Sequence, residues 1–241
     1  MLGCGEPDQM GYSDYRCLQC GEGTHRVAMS CKSSLGLRCA KVYVDNWVSQ
    51  VSKMLHAGVI YRHIVLTVPE ILRNTFYQQS QAVLSPFMRC GARCLDDVYS
   101  RVSGCPLTGG YIMVIQTHGR NGRYHPHLHI IATSGGGDRQ AKRWMHLDYL
   151  PYHVLRKKWQ WHRLTMLRQT VKTKGINRLV DACYTRYRAG FVTNVHKGDV
   201  PARYQSLARY LAKYVVSPPI SLRRIDGYDG HHVTSHYRVR V

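Results

Sequence analysis

The feature that most constrains the fold is a short histidine-bearing run, His125-Pro126-His127-Leu128-His129-Ile130-Ile131. It lies between a glycine-rich turn at Gly119-Arg120-Asn121-Gly122 and a second at Gly135-Gly136-Gly137. Ahead of it, Tyr111 to Thr117 is apolar and β-branched, the composition of a strand. The two runs predict an antiparallel hairpin, strand 111–118 against strand 127–133. Side chains alternate along a strand, so His127 and His129 share one face and Leu128 and Ile130 take the other. Gln116 and His118 share a face on the preceding strand. Two imidazoles beside an amide oxygen and a third imidazole form a ligand set for a divalent cation. The plainer alternative is a row of inert, hydrogen-bonded strand histidines.

The 241 residues allow one substantial domain and a small appendage. Thirty-four Lys and Arg against 14 Asp and Glu leave a formal charge of +20. An excess of that size disfavours a small neutral partner and favours a polyanion, with nucleic acid first. It is concentrated in residues 139–188, where thirteen Lys or Arg face only Asp148 and Asp181. A basic membrane-surface helix is the alternative there, but Pro151 and Gly175 interrupt the segment. No run reaches the length of a membrane-spanning helix, and the N-terminus lacks a positive-then-apolar leader, so a soluble, cytoplasmic protein is expected.

Nine cysteines in a reducing compartment argue against a disulfide framework, and five of them fall in the first 39 residues. Cys17-Leu18-Gln19-Cys20 is a CxxC knuckle, followed by Cys31 and Cys39. Tetrahedral Zn²⁺ takes four such ligands, and Cys17, Cys20, Cys31 and Cys39 are the expected set. Gly36 stands where a second CxxC would place its first cysteine, so a degenerate ribbon that holds metal poorly is the other reading.

Spacing of apolar residues predicts helices over 40–57, over 70–102 in two pieces divided near Ser85-Pro86, over 153–172, over 176–188, and from Asp199-Val200-Pro201 to about Val216. Strands are expected over 59–68 and 190–196, and a basic tail without a core pattern over 227–241. The order suggests an α+β fold with a mainly antiparallel sheet flanked by helices. Its parts would be a Cys-rich zinc-binding domain and linker helix (1–58), a larger domain built on the hairpin (59–226) and the tail. The helix from His153 interleaves Trp159 and Trp161 with Arg156, Lys157, Lys158, Arg163 and Arg168. That pattern suits single-stranded nucleic acid, with at least one Trp expected in the core. Cys90 and Cys94, four apart on a helix, are expected to be small core residues.

The closing helix carries Arg209-Tyr210-Leu211-Ala212-Lys213-Tyr214. Tyr204, Leu207, Ala208, Leu211 and Val215 form its apolar arc, and Tyr210 and Tyr214 project together beside it, one turn apart. Two such tyrosines usually finish the edge of a core.

Here they follow His127-Leu128-His129 and a cysteine-rich start, and the combination resembles the HUH endonucleases. More narrowly, the chain resembles the rolling-circle insertion-sequence transposases with two catalytic tyrosines and an N-terminal zinc-binding domain. The resemblance covers nearly all of the chain. Members continue well beyond the tyrosine helix, so a chain ending at Val241 is expected to be a C-terminally truncated copy.

The resemblance implies that Tyr210 and Tyr214 nick and rejoin single-stranded DNA through a 5′-phosphotyrosine intermediate. His127 and His129 would hold Mg²⁺ or Mn²⁺, with Gln116 the first choice of third ligand and His118 its competitor. Lys213, between the tyrosines, would neutralise phosphate or face solvent. Partners would be transposon ends and target DNA in a bacterial nucleoid, with no membrane. A plasmid or phage replication initiator, or a non-catalytic zinc-dependent DNA-binding remnant, are the competing functions.

Overall fold

In a computed structural model the chain divides into two compact units, Met1–Met54 with Ala208–Val241, and Leu55–Leu207. The structure describes residues 4–33, 37–119, 121–138, 140–196, 204–215 and 224–236, with backbone alone at 37–38, 204–205 and 213–215. The elements in chain order are α1 (Pro7–Met10), β1 (Tyr12–Arg16), β2 (Thr24–Ala28), α2 (Leu37–Ser52), β3 (Tyr61–Thr67), α3 (Glu70–Gln78), α4 (Ser80–Ser103) and β4 (Thr108–His118). There follow β5 (Tyr124–Asp138), β6 (Arg143–His146), α5 (Tyr152–Thr170), α6 (Ile176–Arg186), β7 (Thr193–Val195), α7 (Tyr204–Val215), β8 (Ile225–Tyr228) and β9 (Val233–Ser235). The fold is α+β, with a mainly antiparallel sheet flanked by helices.

The larger unit is built on one antiparallel sheet ordered β4-β5-β3-β7, with β6 pairing the far end of β5. Alternation sends Ile64, Leu66, Leu128 and Ile130 to one face, where they are wholly buried with Leu72, Phe76, Phe87, Leu95 and Leu164 of the helices. Trp159 is also buried there, stacked on Phe87, and its indole N–H donates to the Thr67 carbonyl at 2.8 Å. Gly91 of α4 allows a close approach: a methyl there would sit 2.7 Å from Leu128 Cδ1. Cys90 and Cys94 are buried, as small core residues should be.

Three expectations need correction. Gly135-Gly136-Gly137 is not a turn but lies within β5, which runs on to Asp138. The glycines are needed because strands press in from both sides. At Gly135 (φ +131°) a Cβ would lie 2.1 Å from the Met145 carbonyl oxygen, and at Gly136 it would lie 2.7 Å from that of Thr108. The break in the 70–102 helix falls at Gln79 rather than Pro86. Gln79 leaves helical geometry and its carbonyl accepts from the Ala82 and Val83 amides, while Pro86 is carried inside α4. The 190–196 strand shrinks to Thr193–Val195. Within the tail, β8 and β9 pair as an exposed hairpin. The proposed helix start at Asp199-Val200-Pro201 lies outside the described residues.

Among its described residues the smaller unit has little apolar interior. The β1–β2 hairpin is nearly all exposed, tied by a two-pronged Arg26–Asp14 pair at 2.9 and 3.1 Å and by the Arg26 guanidinium 3.7 Å above the Tyr12 ring. A unit so thinly packed needs a covalent or metal staple. Helix α7 crosses the division between units at Leu207 and Ala208.

Candidate metal centres and the tyrosine helix

His127 and His129 stand side by side on the sheet face opposite the core, ring centroids 4.8 Å apart. The pairing sets Gln116 of β4 against His127, and Val65 of β3 against His129. A register shift between Gln116 and His118 places an extra residue on the β5 side, where Pro126 sits. Proline has no amide hydrogen to lose, so an irregularity is where a strand tolerates it.

The histidine row is longer than the sequence pattern suggested. His129 Nε2 lies 3.1 Å from Gln116 Oε1, and its Nδ1 lies 3.0 Å from Nε2 of His63 on β3. His63 stacks in turn on His196, just past β7, at 4.9 Å. Gln116, His129, His63 and His196 thus form one polar line across β4, β5, β3 and β7. His63 and His196 were missed, though a signal existed. In the apolar β3 run, His63 occupies an alternation position shared with Val65 and Thr67, away from Ile64 and Leu66.

Burial disfavours the charged imidazolium at four of these rings. It pushes His129 down to about 3, His63 down to about 4 and His125 down to about 4, and lowers His127 as well. Neutral imidazole is the form that ligates a metal. His127 Nδ1–H donates to the His125 carbonyl at 2.7 Å, which fixes the tautomer and leaves Nε2 with its lone pair. His129 is in the same position once its Nδ1–H donates to His63 Nε2. With the proton on Nδ1, His129 Nε2 and Gln116 Oε1 face each other as two lone-pair donors 3.1 Å apart, and a cation between them would ligate both. The donor set therefore fits a divalent ion. His118 stands beyond the register shift, opposite Tyr124, and near enough that a positive charge there would disfavour one on His127.

The cysteines gather differently. Cys4, Cys31 and Cys39 bring their sulfurs within 4.8 Å of one another, with Cys4 Sγ and Cys39 Sγ 3.4 Å apart. Among the described residues this is the one such group of three His, Cys, Asp or Glu ligands. Cys17 and Cys20 lie apart from it, exposed in the turn between β1 and β2. A hydrogen bond from Ser30, with help from Cys4, lowers the Cys39 thiol to about 7, toward the thiolate that metals bind. Three thiols at this spacing fit three of the four positions around Zn²⁺. Cys4 escaped the sequence reading because it stands 27 residues before Cys31 with no partner in a CxxC.

On α7, Leu207, Ala208, Leu211 and Ala212 are buried and Tyr210 is half-buried. The Tyr214 and Lys213 side chains lie outside the described residues. Of the cations expected to meet nucleic acid, Arg163 does not reach the surface. It is wholly buried, its guanidinium 3.7 Å from the Phe87 ring and 3.9 Å from that of Phe76, and burial lowers it to about 9. Position 163 follows the exposed Trp161 by half a turn and faces the core that Trp159 enters. Arg156 reaches toward the carbonyls of Gly190 and Phe191, Arg168 pairs with Asp181 at 2.6 Å, and Lys158 pairs with Asp97 at 2.8 Å. Lys157 is exposed. No described helix is long and apolar enough to cross a membrane.

Comparison with known proteins adds an independent line. A family model described as "Putative transposase" matches residues 110–240, and one described as "Transposase zinc-binding domain" matches residues 1–68. The transposase for insertion sequence element IS801 of Pseudomonas savastanoi pv. phaseolicola is 25% identical over 248 residues, covering 95% of this chain and 56% of that protein. "Putative transposase y4qJ" of Sinorhizobium fredii is 28% identical over 144 residues, covering 58% of this chain and 35% of that protein. The chain thus spans about half the length, or less, of these curated relatives. No solved structure matches.

Proposed function

Because the chain belongs to the transposase family, with an IS91-type zinc-binding domain at its N-terminal end, we propose that it nicks and rejoins single-stranded DNA at transposon ends. The observation that carries the reading is the His127–His129 pair: two imidazoles held toward the neutral form and aligned with an amide oxygen on one face of the sheet. His127 Nε2, His129 Nε2 and Gln116 Oε1 would hold Mg²⁺ or Mn²⁺. When bound, that ion supplies Lewis-acid polarisation of the scissile phosphate.

Tyr210 and Tyr214 are the nucleophiles in this reading. The phenol oxygen of one attacks phosphorus, its proton passes to solvent, and the bond to the departing 3′ oxygen breaks as that oxygen takes a proton from solvent. A 5′-phosphotyrosine and a free 3′-hydroxyl result. The phosphodiester's energy is kept in the covalent link, so rejoining needs no nucleotide cofactor. The second tyrosine allows a further cleavage while the first end is held. His63 keeps the His129 ring in place from the Nδ1 side. Zn²⁺ held by Cys4, Cys31 and Cys39 would staple the small unit.

The test is a single-stranded oligonucleotide carrying the element's end, incubated with protein and Mn²⁺ and resolved on a denaturing gel. A covalent adduct is expected from the parent and none from Tyr210→Phe/Tyr214→Phe. If no adduct forms, or the double variant forms as much as the parent, the nuclease reading fails and a DNA-binding remnant takes its place.

A further inference from the structure

The layer of helices that covers the core presents an outer surface, and its composition is unlike that of an ordinary solvated face. On α4, Arg89, Arg93 and Arg101 are exposed at four-residue intervals, and Asp97 fills the one gap in the stripe. On α5, packed alongside, Lys157 and Trp161 are exposed, and the Trp161 ring keeps 51% of its surface in solvent. Two clefts of about 500 Å³ and 510 Å³ open between the helices, and Trp161 lines both. Arg101, Lys157 and Lys158 border the first, and Arg89 and Arg93 the second.

The arrangement is built rather than incidental. Asp97 accepts from Lys158 at 2.8 Å and from His162 at 3.0 Å, and the His162 ring meets Trp161 edge-on with centroids 4.7 Å apart. One carboxylate therefore sets a cation and, through His162, the indole. It is also the sole acid lining either cleft, against five cations. Arg93, Arg101 and Lys157 make no ion pair among the described residues. Beneath the second cleft, Cys90 and Met166 form part of the floor, and the buried Arg163 donates to Met166 Sδ at 3.6 Å. Among the described residues no carboxylate pairs with that guanidinium, so its charge adds to the positive potential of the cleft.

We propose that this outer α4–α5 face is a second nucleic-acid surface, along which a single strand runs with its phosphates on the arginine stripe and a base stacked on Trp161. Acidic protein would use the cations and leave the indole idle, and a duplex would offer no free base to stack. The sheet and helix layers separate this surface from the histidine row. The unit can then hold a second stretch of DNA while one is processed, and in that sense the inference extends the nuclease reading.

The experiment reads affinity alone. Full-length protein carrying His127→Ala/His129→Ala, in buffer without divalent cation, is titrated into fluorescein-labelled oligo-dT, and anisotropy is followed over a range of salt. Adding Trp161→Ala should weaken binding about tenfold, with Trp161→Phe recovering most of the loss. Adding Arg93→Ala/Arg101→Ala should reduce the salt slope by about 1.4, at about 0.7 per phosphate contact on a single strand. Unchanged affinity and slope in both variants would overturn the proposal, as would an equal loss from Trp161→Ala on duplex DNA or a loss confined to oligo-U. Failure of the nuclease reading shows instead as absence of a covalent adduct, which these titrations do not measure.

Discussion

The histidine row and the cysteine cluster gather metal donors by opposite means. The row is laid out on hydrogen-bonded strands, so each ring's neighbours are dictated by register: Gln116 lies opposite His127, and His129 lies between Val65 and Val114. The cluster is closed by chain that is mostly not regular. Cys4 precedes α1, Cys31 follows β2, and only Cys39 sits in a helix of any length, α2. The row should therefore keep its geometry without a metal, because the core on the other face holds the sheet. The cluster has no comparable support, and its unit should depend on the ion.

That contrast can be broken most directly at the cysteines. Cys4→Ser should lower zinc affinity about 100- to 1,000-fold, since structural zinc binding of about 10–16 kcal/mol is shared among four ligands. Isothermal titration of the apo protein measures it. The same substitution at Cys17 should have a far smaller effect, and the reverse order would return the site to the CxxC knuckle. Chelation should unfold the small unit, seen as loss of amide protection in the β1–β2 hairpin, and leave the sheet protected.

The next largest effect is expected at His63, which touches His129 and not the proposed ion. His63→Ala should reduce Mn²⁺ affinity about 10- to 100-fold, the usual cost of losing a partner that orients a ligand. His63→Gln, which keeps an acceptor near the same place, should recover part of it. Manganese titration followed by electron paramagnetic resonance separates the two. An alanine variant that binds as well as the parent would mean that strand geometry alone orients His129.

A smaller effect concerns pH. His63 and His129 are held at about 4 and about 3 in the fold, against 6.5 in the free side chain. Between those values the unfolded chain binds more protons than the folded one. Stability is therefore complete above about 6.5 and declines as pH falls, by up to about 1.4 kcal/mol per unit for each ring. Urea midpoints at pH 7 and pH 5 should show the decline, and His63→Gln should flatten it. A pH-independent midpoint would show that water reaches the row.

The smallest change is expected at Arg163. Its stacking on Phe76 and Phe87 offsets the cost of burying a charge without a counter-ion, so Arg163→Met should move stability by no more than about 1 kcal/mol. Arg163→Ala, which leaves a cavity, should cost about 3 kcal/mol. Thermal melts of the two variants decide whether the guanidinium itself holds the core.

How much of this could be read from the residues follows the same divide. The twin-histidine hairpin and the α5 and α6 helices obey periods of two and 3.6, and they appear where those periods place them; one tryptophan of α5 is in the core, as expected, though the pattern did not say which. The departures arise where a distant neighbour decides. Gly135 reads as a turn until β6 presses on it, and Arg163 reads as surface until Phe76 and Phe87 are seen to flank it. Cys4 has no local partner at all, and His63 becomes meaningful only once β3 is known to pair with β5. Periodicity describes what a residue does to its own segment. It does not say which other segment will arrive beside it.

The irregularity at Pro126 also bears on how such a chain can change over generations. From Pro126 onward β5 is clamped between two strands, and inserting or deleting a single residue there would rotate every imidazole into the oily layer and every aliphatic side chain out of it. The connection at 119–123 carries no such phase. Length variation should accumulate in that connection, while the next dozen residues change only by replacement, keeping their count like teeth on a gear.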